Sequence, residues 1–184
     1  MKSQKPPQKG GFCYSVFMAS VIIRPYEDSD KDQLLRGIVD LQEYERAIAP
    51  LTRRPGEDID EEYFSYLMKT FDEQHGALFV AVQDEQLIGY IACRVEREES
   101  ISKTSVSNIH GYISDAWVDE KFRNQGVFTQ LNQKAEEYLL QFPEVEIIRL
   151  FVLADNDVAV KAYERTGYEN EEILLMKRFP RNIR

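Results

Sequence analysis

Ala116-Trp117-Val118-Asp119-Glu120-Lys121-Phe122-Arg123-Asn124-Gln125-Gly126-Val127-Phe128-Thr129 reads as a strand, a turn and a helix in immediate succession. The apolar run stops at Val118, and a polar turn carries Arg123, Asn124, Gln125 and Gly126. Helical spacing then begins with Val127, Leu131, Ala135, Tyr138 and Phe142, and Pro143 closes it. The first turn of a helix leaves backbone N–H groups unpaired at the positive end of its dipole, so it accepts an anion readily. Gly126 lets the backbone approach a phosphate where a Cβ would obstruct it, and Arg123 brings a positive charge to the same turn. The pattern is weak by itself, because glycine at a helix start is most often only a turn residue. It is neither a P-loop nor GxGxxG.

Upstream, residues 21–24 form a short β-branched run stopped by Pro25. Leu34, Leu35, Ile38, Leu41 and Ile48 then recur at helical spacing, and a second helix is expected over residues 59–73 with Tyr63, Tyr66, Leu67 and Thr70 on one side. Residues 77–83 and 87–95 read as a hairpin around Asp84-Glu85, and 109–118 as a third member of that sheet. Downstream, residues 147–154 are nearly all apolar, the sign of a strand covered on both faces. Residues 155–166 form an amphipathic helix ended by Gly167, and 173–176 supply a last strand. The order is that of one α+β or mixed α/β domain.

The whole chain limits what such a domain can do. Its 184 residues are 43% hydrophobic and 30% charged, and the net charge of −9 argues against a protein that grips nucleic acid. No stretch approaches the roughly 20 apolar residues of a membrane span. Cys13 and Cys93 form no metal-ligand or disulfide pattern, which fits a reducing, cytoplasmic setting. His75 and His110 are too few and too scattered for a metal site, so no metal is expected. Lys2, Lys5 and Lys9 precede a short apolar patch from Phe12 to Met18. Residues 1–19 are therefore expected to be a flexible extension to a domain over 20–184, with Met18 as an alternative start.

The second informative stretch, Leu150-Phe151-Val152-Leu153-Ala154-Asp155-Asn156-Asp157-Val158-Ala159-Val160-Lys161-Ala162-Tyr163-Glu164-Arg165-Thr166-Gly167-Tyr168, completes a pair of motifs. The first stretch resembles the acetyl-CoA pyrophosphate motif of the GNAT N-acetyltransferase superfamily, (Q/R)xxGx(G/A). The second is similar to that family's N-x-x-A-x-x-x-Y-x-x-x-G-(F/Y) signature, met by Asn156, Ala159, Tyr163, Gly167 and Tyr168. One departure stands out: Phe128 occupies a place where the family has Gly or Ala, so its side chain must turn aside into the core.

The resemblance implies a mixed, centrally splayed sheet of six to seven strands flanked by about four helices. It also implies acetyl-CoA as co-substrate, bound by Ala116, Trp117 and Val118, by the turn from Arg123 to Thr129, and by Asn156 and Tyr163. The strands ending near Val118 and Ala154 would part to admit pantetheine, and the Val118 N–H would hold the thioester oxygen. Tyr163 is the candidate general acid. A thiol has a pKa near 8.5 and a phenol near 10, so a close, desolvated phenol can protonate the leaving thiolate. By periodicity alone Tyr163 reads as a core aromatic, and only the surrounding signature reverses that; Asn156 is equally a helix N-cap.

The attacking alkylammonium, with a pKa near 10.4, must first lose a proton. Asp115 matches a position where acidic residues are common in polyamine-type relatives, and Tyr44 and Glu45 fall where the family shapes its acceptor pocket. The expected acceptor is a small-molecule amine or polyamine. A protein or peptide amine is the alternative, and a non-catalytic acetyl-CoA-binding module a further one. Nucleic acid and membrane are not expected as partners, and the resemblance allows a homodimer.

Overall fold

The hairpin expected around Asp84-Glu85 is the spine of the sheet. In the computed structural model, which describes residues 20–179, β2 (Ala77–Gln83) pairs antiparallel with β3 (Gln86–Arg97). Asp84 and Glu85 between them both take left-handed φ values, 50° and 64°, the two-residue turn whose twist matches its strands. β1 (Ile22–Pro25) adds on one side of the hairpin and β4 (Ile109–Val118) on the other, both antiparallel. β5 (Ile148–Leu150) completes the order β1-β2-β3-β4-β5 and runs parallel to β4.

Alternation along β2 and β3 sends side chains to two cores. Leu78, Val80, Tyr90 and Ala92 face α1 (Lys31–Ile48) and α2 (Asp60–Glu73), through Leu34, Ile38 and Leu67. Phe79, Ala81, Ile91 and Cys93 face α4 (Val127–Leu139) and α5 (Asp157–Arg165), through Leu131, Ala135 and Tyr163. α1 lies close on the sheet at Gly37, where a Cβ would come within 3.0 Å of the Trp117 ring. A single turn of helix, α3 (Ser105–Asn108), precedes β4. No helix among the described residues is long and apolar enough to cross a membrane.

Two expectations change. Among the described residues the sheet has five strands rather than six or seven. The apolar stretch 147–154 pairs only over Ile148–Leu150, because β4 bends away beyond that point and leaves it no partner. Phe151 consequently emerges at 83% exposure. Residues 173–176, expected as a last strand, join no ladder, and Leu174 is 93% exposed. The extension expected over residues 1–19, with the alternative start at Met18, lies outside the described residues.

Candidate active site

The bend in β4 creates the site. Ala92 of β3 pairs with Asp115 and Cys93 with Ile113, so Ser114 is an extra residue and β4 bulges there. The last β4–β5 pair is Ile113 with Leu150, one residue before the bulge. From Ser114 to Val118, β4 therefore has a neighbour only in β3. The Asp119 N–H donates to Ile88 O at 2.9 Å. Since successive residues of an antiparallel strand turn their amides to opposite sides, the Val118 N–H and C=O face the side that β5 has left. The Val118 carbonyl accepts from Arg123 Nε at 3.1 Å on that side. The side chains of Trp117 and Ala116 pack in the cores: Trp117 is 8% exposed and stacks on Tyr90 at 6.0 Å, and Ala116 packs on the α4 face.

The following turn presents backbone rather than side chains. Asn124 and Gly126, one residue apart, take φ values of 60° and 80°, and Gly126 caps α4 with no side-chain hydrogen bond to its first turn. Left-handed residues alternating in this way turn neighbouring N–H groups to one side, a concavity suited to an anion. A Cβ on Gly126 would meet nothing within 4 Å, so the glycine is demanded by its φ and the space before it is open. Asn124, Gln125 and Thr129 are exposed and Val127 is buried. The Arg123 guanidinium lies over the Tyr44 ring at 5.4 Å, with Nε held by the Val118 carbonyl.

Phe128 turns aside from the turn. Its ring meets Tyr163 edge-on at 5.0 Å and 88°, and Tyr168 meets Tyr163 from another direction at 5.3 Å. Tyr163 thus sits beside the first turn of α4, in the core cluster on which Val118 and Val152 also pack. Burial raises its phenol above the ordinary range, and the Asp115 charge and Tyr112 raise it further. Asn156 caps α5 by accepting from the Ala159 N–H at 3.1 Å, and Tyr44 Oη reaches the same oxygen at 3.4 Å. Tyr44 therefore spans the fork from Arg123 to the start of α5.

On the α1 and α2 side of the fork lies a cavity of about 280 Å³. Asp115 and Glu45, both singled out in the sequence, line it together. Burial lifts the Asp115 carboxyl to about 6, against the opposing pull of a 2.6 Å hydrogen bond donated by Tyr63. Glu45 accepts from Arg53 Nε at 2.7 Å. Tyr63, Arg53, Tyr112 and Phe151 also line the cavity, and none of them was singled out as a site residue. The signal for Tyr63 was its place on the inner face of α2, but Asp115 is 52 residues away. Arg53 lies in the connection between α1 and α2, where no helical or strand spacing marks it.

Away from the fork, His110 is less isolated than its sequence position suggests. Its ligand atoms and those of Glu96 and Glu98 lie within 4.8 Å of one another. Both carboxylates already have cations: Arg94 pairs with Glu96, and Lys103 with Glu98 at 2.5 Å.

The model of the acetyltransferase (GNAT) family matches residues 40–168. An uncharacterized N-acetyltransferase of Methanocaldococcus jannaschii is 32% identical over 112 residues, 61% of this chain and 46% of that protein. The chain thus spans about half the length of that relative. N-alpha-acetyltransferase 30 of Schizosaccharomyces pombe is 28% identical over 112 residues, covering 60% of this chain and 70% of that one. Among solved structures, a mutant of a Bacillus halodurans protein superposes with a TM-score of 0.75 at 20% identity, over 86% of this chain and 99% of that one. The aminoglycoside N-acetyltransferase AAC(6')-Iy in complex with CoA gives 0.67 at 16% identity, over 88% and 95%. These two structural likenesses concern the fold.

Proposed function

The chain belongs to the GNAT acetyltransferase family, and from that premise we propose that it transfers the acetyl group of acetyl-CoA to a primary amine by direct attack in a ternary complex. The observation that carries this reading is the fork itself: β4 and β5 part after Ile113 and Leu150, and the Val118 amide is turned into the opening. Acetyl-CoA supplies an activated thioester. The residues present suit it, because the uncapped start of α4 and the open space at Gly126 offer backbone donors to a diphosphate.

Each residue's part follows from its place. The Val118 N–H stabilises the charge that develops on the thioester oxygen, a role that needs only backbone. Asp115 takes the proton of the acceptor ammonium, directly or through water, and is ionised for that purpose above about pH 6. Tyr163 returns a proton to the departing thiolate. Its raised pKa keeps it protonated until the thiolate is beside it; the transfer itself runs uphill, and the phenol regains its proton from the amine nitrogen as the amide forms. Tyr44 and Arg123 hold the two sides of the fork in register.

The acceptor is an amine on a small molecule or polyamine in the first reading. A peptide N-terminal amine is the second, and the relatives named N-alpha-acetyltransferase favour it. Thiol release from acetyl-CoA, measured across amines and short peptides with mass spectrometry for a gained acetyl group, tests the proposal. Tyr163→Phe should lower kcat by about 10²- to 10⁴-fold. A chain that releases no thiol with any acceptor refutes the transferase, whereas an unchanged kcat in Tyr163→Phe refutes only the acid.

A further inference from the structure

The cavity beside Asp115 holds two carboxylates, and they are not equivalent. Asp115 Oδ2 accepts only a neutral partner, the Tyr63 hydroxyl at 2.6 Å. Glu45 is closed by a full cation, Arg53, at 2.7 Å. With the guanidinium permanently charged, the three ionic groups Asp115, Glu45 and Arg53 sum to a single negative charge when both acids are ionised. The remaining lining is uncharged: Ile38, Leu41, Ile59 and Phe151 stand beside the polar Gln42, Ser114, Tyr90 and Tyr112.

Resting on the transferase reading, we propose that this cavity admits one ammonium head on an otherwise uncharged chain, and that Arg53 determines this specificity by occupying Glu45. A first ammonium finds the Asp115 carboxylate, oriented by Tyr63. A second, a few carbons along the same molecule, finds Glu45 already paired and meets the like charge of Arg53 instead. To enter it must exchange water for neutral partners such as Gln42, Ser114 and Tyr112, with no free carboxylate left to offset its charge, and that desolvation is costly. The acceptor class is thus a monoamine or a chain end with uncharged flanks, which narrows the small-molecule alternatives by removing polyamines. Arg53 acts here through Glu45 and does not touch the reacting atoms, so it is a positioning residue.

Hexylamine and 1,6-diaminohexane separate the outcomes, sharing a six-carbon chain and differing in one terminal ammonium. The wild-type chain should show a diamine-to-monoamine ratio of kcat/KM no greater than two, the statistical advantage of two identical ends. Arg53→Met keeps the stem and frees Glu45, and should raise that ratio about tenfold, the worth of one charge-assisted hydrogen bond. Adding Glu45→Gln to Arg53→Met should return it to the wild-type value, which loss of packing around Arg53 would not do. Arg53→Gln replaces the methionine variant if that one does not fold.

A wild-type ratio well above two, or a ratio unmoved by freeing Glu45, overturns the proposal. Calorimetric binding of the same two amines gives the same ratio without turnover. Binding with the expected ratio but no thiol release leaves the cavity assignment standing, and the transferase reading falls with it only if the full panel of amines and peptides releases no thiol either. Absence of both binding and turnover with either amine overturns the cavity assignment, while thiol release with a peptide would leave the transferase reading standing.

Discussion

Asp115 shows most directly how one residue's surroundings set a reaction's pH range. Its carboxyl is raised to about 6 mainly by burial, and the Tyr63 hydrogen bond restrains the rise. Glu45 on α1, Tyr63 on α2, Tyr90 and Arg94 on β3, Tyr112 on β4, Tyr163 on α5 and Arg53 in the loop after α1 are the titratable or charged groups around it. With the ionised form as base, kcat/KM should rise with pH through about 6. Tyr63→Phe removes a bond that favours the carboxylate, so the acid limb should move to higher pH. Steady-state profiles of the two proteins check both statements. Folding obeys the opposite sign. An unfolded Asp titrates near 3.9, so between about pH 4 and pH 6 the folded chain keeps a proton that the unfolded chain has released. Stability contributed at this residue is therefore lost as pH rises across that window, and Asp115→Asn should not lose it. Urea midpoints of the two proteins from pH 4 to 7 should show the wild type declining relative to the variant. Asp115 stood out in the sequence through a family resemblance, but its Tyr63 partner did not. Helical spacing says which side of α2 Tyr63 occupies, and says nothing of a contact made only when α2 is laid on the sheet.

At the scale of elements, the strand, turn and helix around Gly126 were legible because each is decided locally. Val118 ends an apolar run, the glycine takes a φ of 80°, and apolar spacing resumes at Val127. Gly126→Ala tests that the conformation, and not crowding, demands glycine. A Cβ there touches nothing, so the cost should be that of placing an L-residue in the left-handed region, about 1–2 kcal/mol in urea unfolding. Gly126→Asn should cost less, since Asn visits that region more readily. CoA affinity should fall for Ala in step with any shift of the turn out of its left-handed form, measured by calorimetry. The strand expected over 147–154 was misjudged in length for a physical reason. Apolar content predicts that a segment is covered, but pairing depends on a neighbour, and the Ser114 bulge takes β4 away after Ile113. No local property of residues 151–154 records that bulge.

For the molecule as a whole, the sheet is the shared wall of two cores, and the outermost apolar segment belongs to neither. Alternation along β2 and β3 sends side chains to two faces, and both are filled, by α1 and α2 on one and by α4 and α5 on the other. Residues 173–176 were expected as a strand, yet Ile173, Leu174 and Leu175 are 84%, 93% and 88% exposed. If the chain acts as this single body, those side chains contribute almost nothing to folding. Leu174→Ser with Leu175→Ser should then shift stability by no more than about 0.5 kcal/mol, as exposed substitutions do. Leu131→Ala, at a fully buried position on α4, should cost about 2–5 kcal/mol. Trp117 is the only tryptophan, is nearly buried and stacks on Tyr90, so its emission follows loss of the sheet in urea. A serine pair that lowered the midpoint by as much as Leu131→Ala, and more steeply at low protein concentration, would mean that another copy of the chain covers the segment. A midpoint independent of concentration and unchanged by the serines is the expected result.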